Sequence, residues 1–527
     1  MDAASVPALR LPSVRLGWRL TPLRLAVGIT LFALIVRAIG IGIRPMWLDE
    51  AFSAWFSAQS WGYLWHVVPT YEAHPPFYYS VLKLWRGLFG GDAVALRSLS
   101  VLLSVAAVPI VMLAAFEQER QRPSGHGLLH AGLAGFLTAA SPMLVILGEE
   151  PRPYPLLTLG YAVAILAVLR LMRQFRDGQS GSWPNWLTLA GAAELVLWSH
   201  GLGLLYGISL ALAFAPAWLA SPLARARMVR GLIAASLVAL LYAPCLMMIA
   251  GRAGDWGTNW LAWDPSMLLQ LLVLYSVPTE ALTIGSAVAA LAMILLIKRA
   301  IASALSTRGW TTDRALLLLW LGPPLLAALI SATFVPVFLA RTLSGTLIPA
   351  YLLIGAAVAR CQSPRERRLL TAAICITLTP AAVAMSVRPP QERWDLAAAY
   401  LARNVQPSDE VWLYPADSAL PLSATGRFIP GKVRAIPQPF PTLTFDGPIR
   451  AGWPAVKSVT PLQAAAFAGD PALRQVPRVW LVTRQSGIFD PREDVPRALA
   501  RFRHRGEAQE WGYIAVRPYD APAGNEH

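Results

Sequence analysis

Two adjacent acidic residues, Asp49 and Glu50, follow the first long apolar run of the chain. This run, residues 23–43, is about twenty largely apolar residues long, which is enough to cross a lipid bilayer. A carboxylate at the boundary between lipid and water has a tunable pKa and can take a proton from a substrate that arrives from the lipid. The same pair could equally be a solvated helix cap with no catalytic role. The rest of the sequence is needed to choose between these two interpretations.

The composition indicates an integral membrane protein. The 527-residue chain has a mean hydropathy of +0.48 and 14% charged residues, whereas a soluble protein of this size carries about 25%. The net charge is +15, but the arginines form short clusters between apolar runs instead of one basic face, which argues against nucleic-acid binding. Cys245, Cys361 and Cys375 lie in or beside apolar runs and form neither a disulfide framework nor a zinc spacing.

The apolar runs and the basic clusters between them predict a multi-pass membrane domain with a cytoplasmic N-terminus. Arginines recur in alternate connections, for example at Arg120 and Arg122 and again at Arg365 and Arg367, which satisfies the positive-inside rule. The first run is longer than a signal-peptide core and lacks a clear cleavage site, so we expect it to be retained. We predict about eleven spans, at residues 22–43, 97–116, 129–148, 154–172, 186–200, 202–220, 231–250, 281–297, 315–335, 343–360 and 369–387.

Two long connections, 44–96 and 251–280, lie on the outer side in this threading. Both are rich in aromatic residues, which favours segments that lie in the membrane interface. In the second connection, Trp256, Trp260 and Trp263 are interpreted as interface anchors.

The chain changes character after residue 387, where helix-like and strand-like segments alternate. Residues 394–404 and 495–504 are helix-like, and residues 410–414, 478–482 and 511–517 are strand-like. An odd number of spans places this region on the outer side, together with Asp49. We therefore predict an α-helical multi-pass membrane protein in which a membrane domain, 1–387, is followed by an extracytoplasmic soluble α/β domain, 388–527.

The predicted topology gathers polar groups on the outer side. Charged side chains at the ends of spans are costly when they face lipid, so we expect them to share a cavity. In such a cavity a carboxylate removes a proton from an acceptor while arginines hold a departing phosphate. The residues concerned are Asp49, Glu50, His74, Glu149, Glu150, Arg152, Tyr154, His200 and Arg341.

Each of these residues also has a purely structural alternative. Glu149 or Glu150 would then pair with Arg152, and Arg341 would extend to the lipid headgroups. The two histidines, His74 in the first outer loop and His200 between two spans, would only hydrogen bond within their loops.

Four stretches resemble motifs of lipid-dependent glycosyltransferases with the GT-C fold. The nearest group contains protein O-mannosyltransferases, aminoarabinose transferases and their bacterial relatives. The stretches are Trp47-Leu48-Asp49-Glu50, His74-Pro75-Pro76-Phe77-Tyr78-Tyr79, Glu150-Pro151-Arg152-Pro153-Tyr154-Pro155-Leu156 and Pro336-Val337-Phe338-Leu339-Ala340-Arg341-Thr342-Leu343. The chain departs from the family pattern at Thr342, where an aromatic residue is usual, and at Pro151 and Pro155, which stiffen the second outer loop. None of these departures removes a charged group.

This resemblance implies a GT-C-type glycosyltransferase of the inner membrane. It implies a polyprenyl-phosphate sugar as donor and a lipid, glycan or protein acceptor on the outer, periplasmic side. Asp49 would be the base, with Glu50 as its neighbour or substitute, and Glu150 would help to place the acceptor or a divalent metal. Arg152 and Arg341 would face the lipid phosphate, and His74 and Tyr154 would shape the pocket. No other cofactor is implied.

Two other function classes compete with this interpretation. A non-catalytic carrier, flippase or binding subunit for polyprenyl-linked sugars would use the arginines but would have little need for Asp49. A secondary transporter is disfavoured because the sequence shows no inverted repeat. The sequence also lacks a phosphate-cradling glycine loop, which agrees with a lipid donor without requiring one.

Overall fold

Long apolar helices form most of the chain before residue 387 in the computed structural model, which describes residues 21–70, 72, 74–220, 224–251, 263–269, 271, 284–306, 308–437 and 459–522. The helices are α1 (Pro22–Ile39), α2 (Leu48–Ala58), α3 (Phe77–Phe89), α4 (Ala93–Gln121), α5 (Gly127–Ala140), α6 (Pro142–Gly148), α7 (Tyr154–Arg176), α8 (Trp183–Ser199), α9 (Gly203–Leu219), α10 (Ala224–Ala250), α11 (Ile284–Leu305), α12 (Thr312–Thr333), α13 (Leu347–Ala359) and α14 (Pro364–Ser386). A 3₁₀ helix, Ala340–Thr346, leads directly into α13.

Each predicted span coincides with one of these helices or, for 129–148, with the pair α5 and α6. Among the described residues, seven helices are long and apolar enough to cross a membrane, and the α5–α6 pair, bent by 56°, would be an eighth. Helices α8 and α9 have 17 residues each and are short for a span. The predicted fold class is confirmed, while the number of crossings stays a prediction.

A buried arginine stabilises the bend between α5 and α6. Pro142 has no N–H to donate to the carbonyl of Thr138, so the helix breaks at Ser141. The Arg37 guanidinium, which is fully buried, donates instead to the carbonyls of Thr138 at 3.2 Å and Ala139 at 2.8 Å. A charged side chain in apolar surroundings is thereby satisfied by backbone groups that the bend leaves free.

The ends of several helices meet around Asp313, which is fully buried at the start of α12. Its carboxylate accepts hydrogen bonds from Arg122 at 2.5 Å and from Arg360 at 2.6 Å. These arginines belong to two connections that the charge pattern predicted to lie on the same side of the membrane. Their shared carboxylate places both connections at one end of the bundle, as the threading required.

The C-terminal region forms a mixed sheet flanked by helices. Its strands are β1 (Glu410–Tyr414), β2 (Lys432–Ala435), β3 (Arg478–Arg484), β4 (His504–Arg505), β5 (Gln509–Trp511) and β6 (Ile514–Asp520). Its helices are α15 (Trp394–Asn404), α16 (Ala419–Ala424), α17 (Pro461–Ala468), α18 (Ser486–Phe489) and α19 (Asp494–Ala500). The sheet order is β2-β1-β3-β6-β4, with β1 parallel to β2 and β3 and with β6 antiparallel to β3; β5 pairs with β6.

Part of the sequence-based assignment needs correction in this region. The helix predicted at 495–504 ends at Ala500, and His504 instead begins β4. The strand predicted at 511–517 is divided by Gly512, whose φ of +67° allows a tight turn between β5 and β6.

The C-terminal domain and the first outer connection share one hydrophobic core. Phe56 of α2 and Tyr79 and Leu82 of α3 belong to the same buried cluster as Trp394 and Trp480 of the C-terminal domain. This domain therefore packs against the connection that carries Asp49, while its placement outside the cytoplasm stays a prediction. Of the second outer connection, Trp256 and Trp260 lie outside the described residues.

Candidate active site

Asp49 lies in the first turn of α2, between two arginines from distant parts of the chain. Its carboxylate is 3.4 Å from Nη2 of Arg341 and 3.9 Å from Nη2 of Arg152, and the side chain is 21% exposed. Arg152 also donates through Nη1 to the Asp49 backbone carbonyl at 3.3 Å. The site thus holds a partly exposed carboxylate with two guanidinium groups beside it.

Glu50, the next residue, has a different environment. Its side chain is 2% exposed, and it accepts hydrogen bonds from Nε and Nη2 of Arg97 at 2.9 and 2.6 Å. It also accepts the Trp47 N–H at 3.3 Å and so caps its own helix. With both oxygens occupied, Glu50 holds the helix in place, and this geometry does not support its expected role as a substitute for Asp49.

Arg97 fixes the segment that leads into α2. Besides Glu50, its guanidinium donates to the backbone carbonyls of Ile41, Arg44 and Pro45, at 2.6, 2.8 and 3.1 Å. Arg97 is the first residue of the predicted span 97–116. Its position at the end of a span did not indicate that its side chain is only 1% exposed. It connects the end of α1 with the helix that carries Asp49.

The acids of the second outer loop pair with arginines that the sequence analysis did not consider. Glu149 is fully buried and binds Arg44 and Arg388, the latter at 3.0 Å. Glu150 is 12% exposed and lies 3.6 Å from Arg388. Neither acid forms the pair with Arg152 that was the structural alternative. Burial raises the pKa of Glu150 to about 7, although the Arg388 guanidinium opposes this shift.

Three aromatic rings pack beside the arginines. The ring centroids of His74 and His200 are 4.3 Å apart, and those of Tyr154 and His200 are 5.5 Å apart. The His74 Nδ1 atom accepts the Gly201 N–H at 3.4 Å, which joins the first outer loop to the turn between α8 and α9. Burial, together with the charges of Arg152 and Arg341, lowers the pKa of His200 to about 3, so this imidazole is neutral at physiological pH.

A residue from the start of the C-terminal domain also supports α2. Glu392, 3% exposed, accepts the Leu48 N–H at 3.2 Å and the Trp394 indole N–H at 2.8 Å, while Arg484 donates to its other oxygen at 3.1 Å. An anionic acceptor at a helix N-terminus is favourable. Because 344 positions separate Leu48 from Glu392, no local sequence signal indicates this contact.

The donor set does not fit a metal ion. Within the described ranges, no three His, Cys, Asp or Glu side chains lie close enough together to hold one. Asp49, Glu50, Glu149 and Glu150 are each paired with an arginine, whose positive charge disfavours a further cation. We therefore assign no step to the divalent metal that the resemblance allowed.

The structure is similar to several solved membrane glycosyltransferases. Superposition on ArnT from Cupriavidus metallidurans bound to undecaprenyl phosphate gives a TM-score of 0.57 with 14% sequence identity, over 93% of this chain and 97% of that one. The oligosaccharyltransferase AglB from Archaeoglobus fulgidus, in complex with an inhibitory peptide and a dolichol-phosphate, gives 0.55 with 12% identity over 94% and 74%. The chain has the GT-C fold. No family model and no curated protein matches it by sequence.

The GT-C fold also extends to a larger enzyme. The arabinofuranosyltransferase AftD from Mycobacteria gives a TM-score of 0.51 with 16% identity, over 96% of this chain but only 42% of that one. The fold predicted from the four motifs is thus confirmed. At these identities the likeness concerns the fold, so the roles of the site residues depend on the geometry described above.

Proposed function

We propose that this protein is an integral-membrane glycosyltransferase that moves a sugar from a polyprenyl-phosphate-linked donor to an acceptor on the outer, periplasmic side of the inner membrane. The observation that carries the proposal is the partly exposed carboxylate of Asp49, 3.4 Å from Arg341 and 3.9 Å from Arg152. A base beside two phosphate-binding groups is the minimum that transfer from a lipid phosphate requires. Undecaprenyl phosphate and dolichol-phosphate bound to structural neighbours support this donor class.

The proposed reaction is a single displacement with inversion at the anomeric carbon. Ionised Asp49 takes a proton from the acceptor nucleophile, which forms a bond to the anomeric carbon as the bond from that carbon to the phosphate oxygen breaks. The leaving group is the polyprenyl phosphate, whose developing charge Arg152 and Arg341 stabilise. No covalent enzyme intermediate is needed, because one base and a phosphate leaving group are sufficient for a single displacement.

The other site residues position the substrates. Glu150, whose pKa is raised to about 7, is suited to hold an acceptor hydroxyl. We propose this role for Glu150 in place of metal binding. The rings of His74 and Tyr154, which pack with the His200 ring, would shape the pocket. The C-terminal domain would cover the cavity or bind the acceptor, which is a lipid, a glycan or a protein of the cell envelope.

Replacement of Asp49 tests the proposal in the native cell. We expect Asp49→Asn to reduce transfer by about a hundredfold to ten-thousandfold, seen by mass spectrometry as loss of one glycosyl mass from envelope lipids, glycans or glycoproteins. Asp177→Asn is the matched control, because it makes the same substitution far from Asp49. Asp177 is 43% exposed and caps the C-terminal end of α7, whereas the N-terminal end, at Tyr154, lies beside the site. Full transfer by a folded Asp49→Asn variant would contradict the role of Asp49. An unchanged glycome with misplaced polyprenyl-linked sugar would support the carrier function instead.

A further inference from the structure

His200 ends α8 and faces the group of side chains around Asp49. It is 2% exposed, and its ring lies between those of His74 and Tyr154. Its Nδ1 atom accepts the Leu202 N–H at 3.0 Å. A neutral imidazole that accepts a hydrogen bond at Nδ1 carries its proton on Nε2, so this contact fixes His200 as an Nε2–H donor.

This donor has no acceptor in the described part of the protein. The Nε2 atom of His200 is buried and makes no hydrogen bond, and the same is true of three other N–H groups near Asp49, namely Trp47 Nε1, Arg152 Nε and Arg341 Nε. The Arg341 guanidinium lies 5.7 Å from the centroid of the Trp47 ring. Buried donors without partners are rare in folded proteins, and each needs an explanation.

These four N–H groups can only donate, so a partner that satisfies them must supply acceptor atoms. A ligand that satisfies them is rich in acceptor oxygens, and the two guanidinium groups favour an anion. A phosphate group meets both requirements, whereas a sugar hydroxyl supplies no charge. As a neutral N–H donor, His200 would add a hydrogen bond to the anion at a position that neither guanidinium occupies.

We propose that His200 is a substrate-binding residue whose Nε2–H donates to a phosphate oxygen of the lipid donor, beside Arg152 and Arg341. This inference rests on the proposed function and adds to it a neutral donor that the four motifs do not contain. His74 then acts as a positioning residue, since its ring packs on His200 and its Nδ1 atom holds the backbone of the next residue, Gly201.

Two substitutions separate binding from a structural role. His200→Asn keeps an acceptor near the position of Nδ1, and therefore the contact with Leu202, but it has no donor at the position of Nε2. His200→Gln has an N–H near the position of Nε2 but loses the local acceptor. If His200 binds phosphate, the Asn variant is the weaker binder; if it only supports the loop, the Gln variant is the more impaired.

The measurement is binding of undecaprenyl phosphate to the full-length protein in lipid nanodiscs, with undecaprenol and inorganic phosphate as comparison ligands. We expect His200→Asn to raise the Kd for undecaprenyl phosphate about tenfold or more, because a hydrogen bond to a charged group is lost. His200→Gln should remain within about threefold of wild type. His200→Phe, which keeps a ring but loses both the Nδ1 acceptor and the Nε2 donor, should bind undecaprenyl phosphate no better than the Asn variant.

The outcomes distinguish this inference from the proposed function. If wild type binds undecaprenyl phosphate no better than undecaprenol, the proposed function and the inference both fail. If inorganic phosphate competes fully, the site recognises free phosphate and not a lipid donor. If wild type binds undecaprenyl phosphate and the Asn and Phe variants bind it equally well, only the role of His200 is overturned.

Discussion

Replacing Glu50 with glutamine should lower the free energy of unfolding markedly but should leave proton transfer by Asp49 largely intact. The Glu50 carboxylate is buried and accepts hydrogen bonds from Arg97 at 2.9 and 2.6 Å. Removing one member of a buried ion pair costs about 3–5 kcal/mol because the other charge is left buried and unpaired. Arg97 keeps its bonds to three backbone carbonyls, so we expect the lower end of this range, about 3 kcal/mol.

The assay is thermal unfolding of the purified protein in detergent, with Asp49→Asn as the matched variant. Asp49 is 21% exposed and its ion-pair distances are 3.4 and 3.9 Å, so its loss should change the free energy of unfolding by about 1 kcal/mol or less. At about 2 °C per kcal/mol, the Tm should fall by about 6 °C for Glu50→Gln and by about 2 °C or less for Asp49→Asn.

Turnover per folded molecule should show the opposite order. Asp49→Asn should lose about a hundredfold or more, whereas Glu50→Gln should retain activity within about tenfold, since the base is intact and only its helix is less firmly held. A Glu50→Gln variant that melts like wild type and loses as much turnover as Asp49→Asn would refute this reasoning. Glu50 would then be the base.

Three further predictions concern the neighbours of Asp49. Arg341→Lys keeps the charge but loses the planar fork, so the Kd for undecaprenyl phosphate should rise about tenfold in a nanodisc binding assay, and an unchanged Kd would remove Arg341 from the phosphate site. The pKa of Glu150 is raised to about 7, so the folded state binds more protons than the unfolded state between the ordinary carboxyl pKa and 7, and stability should fall as pH rises through this window. Melting curves across pH should show this slope in wild type and a shallower one in Glu150→Gln; equal slopes would place the titration elsewhere. Glu392→Ala leaves Arg484 buried without its carboxylate, so the Tm should fall by about 6 °C, and a smaller change than in the exposed-site variant Asp177→Asn would show that the contact with α2 is dispensable.

The membrane helices were predictable because their signal is local. Each apolar run is long enough to be recognised as a membrane helix, and the arginines between the runs indicate which connections lie at the same end of the bundle, as the shared contact of Arg122 and Arg360 with Asp313 shows. The same rule predicted that Asp49, Arg152 and Arg341 share one side of the membrane, and these three residues do lie together. The bend at Ser141 was not predicted, because Pro142 alone does not determine it. The bend also depends on Arg37, which binds the freed carbonyls and is distant in sequence.

Contacts between distant segments could not be predicted. Glu50 and Arg97 are 47 positions apart, Glu149 and Arg388 are 239 apart, and Leu48 and Glu392 are 344 apart. Two adjacent acidic residues give the same sequence pattern whether or not one of them forms a buried ion pair. The different roles of Asp49 and Glu50 therefore became visible only in the three-dimensional structure. In the C-terminal domain, β4 has two residues and β5 three, too few to show an alternation of polar and apolar side chains.

The contact of Glu392 with the N-terminus of α2 has a consequence for biosynthesis. Ribosomes deliver the chain from the N-terminus, so Asp49 reaches the membrane early, whereas Glu392 follows only after the last membrane helix has been made. Until then the Leu48 N–H lacks its acceptor, and Phe56, Tyr79 and Leu82 lack the apolar partners that cover them. An arrested or truncated chain would therefore carry Asp49 on a helix that lacks these contacts with the C-terminal domain. Under the proposed function, transfer activity would therefore depend on completion of the polypeptide.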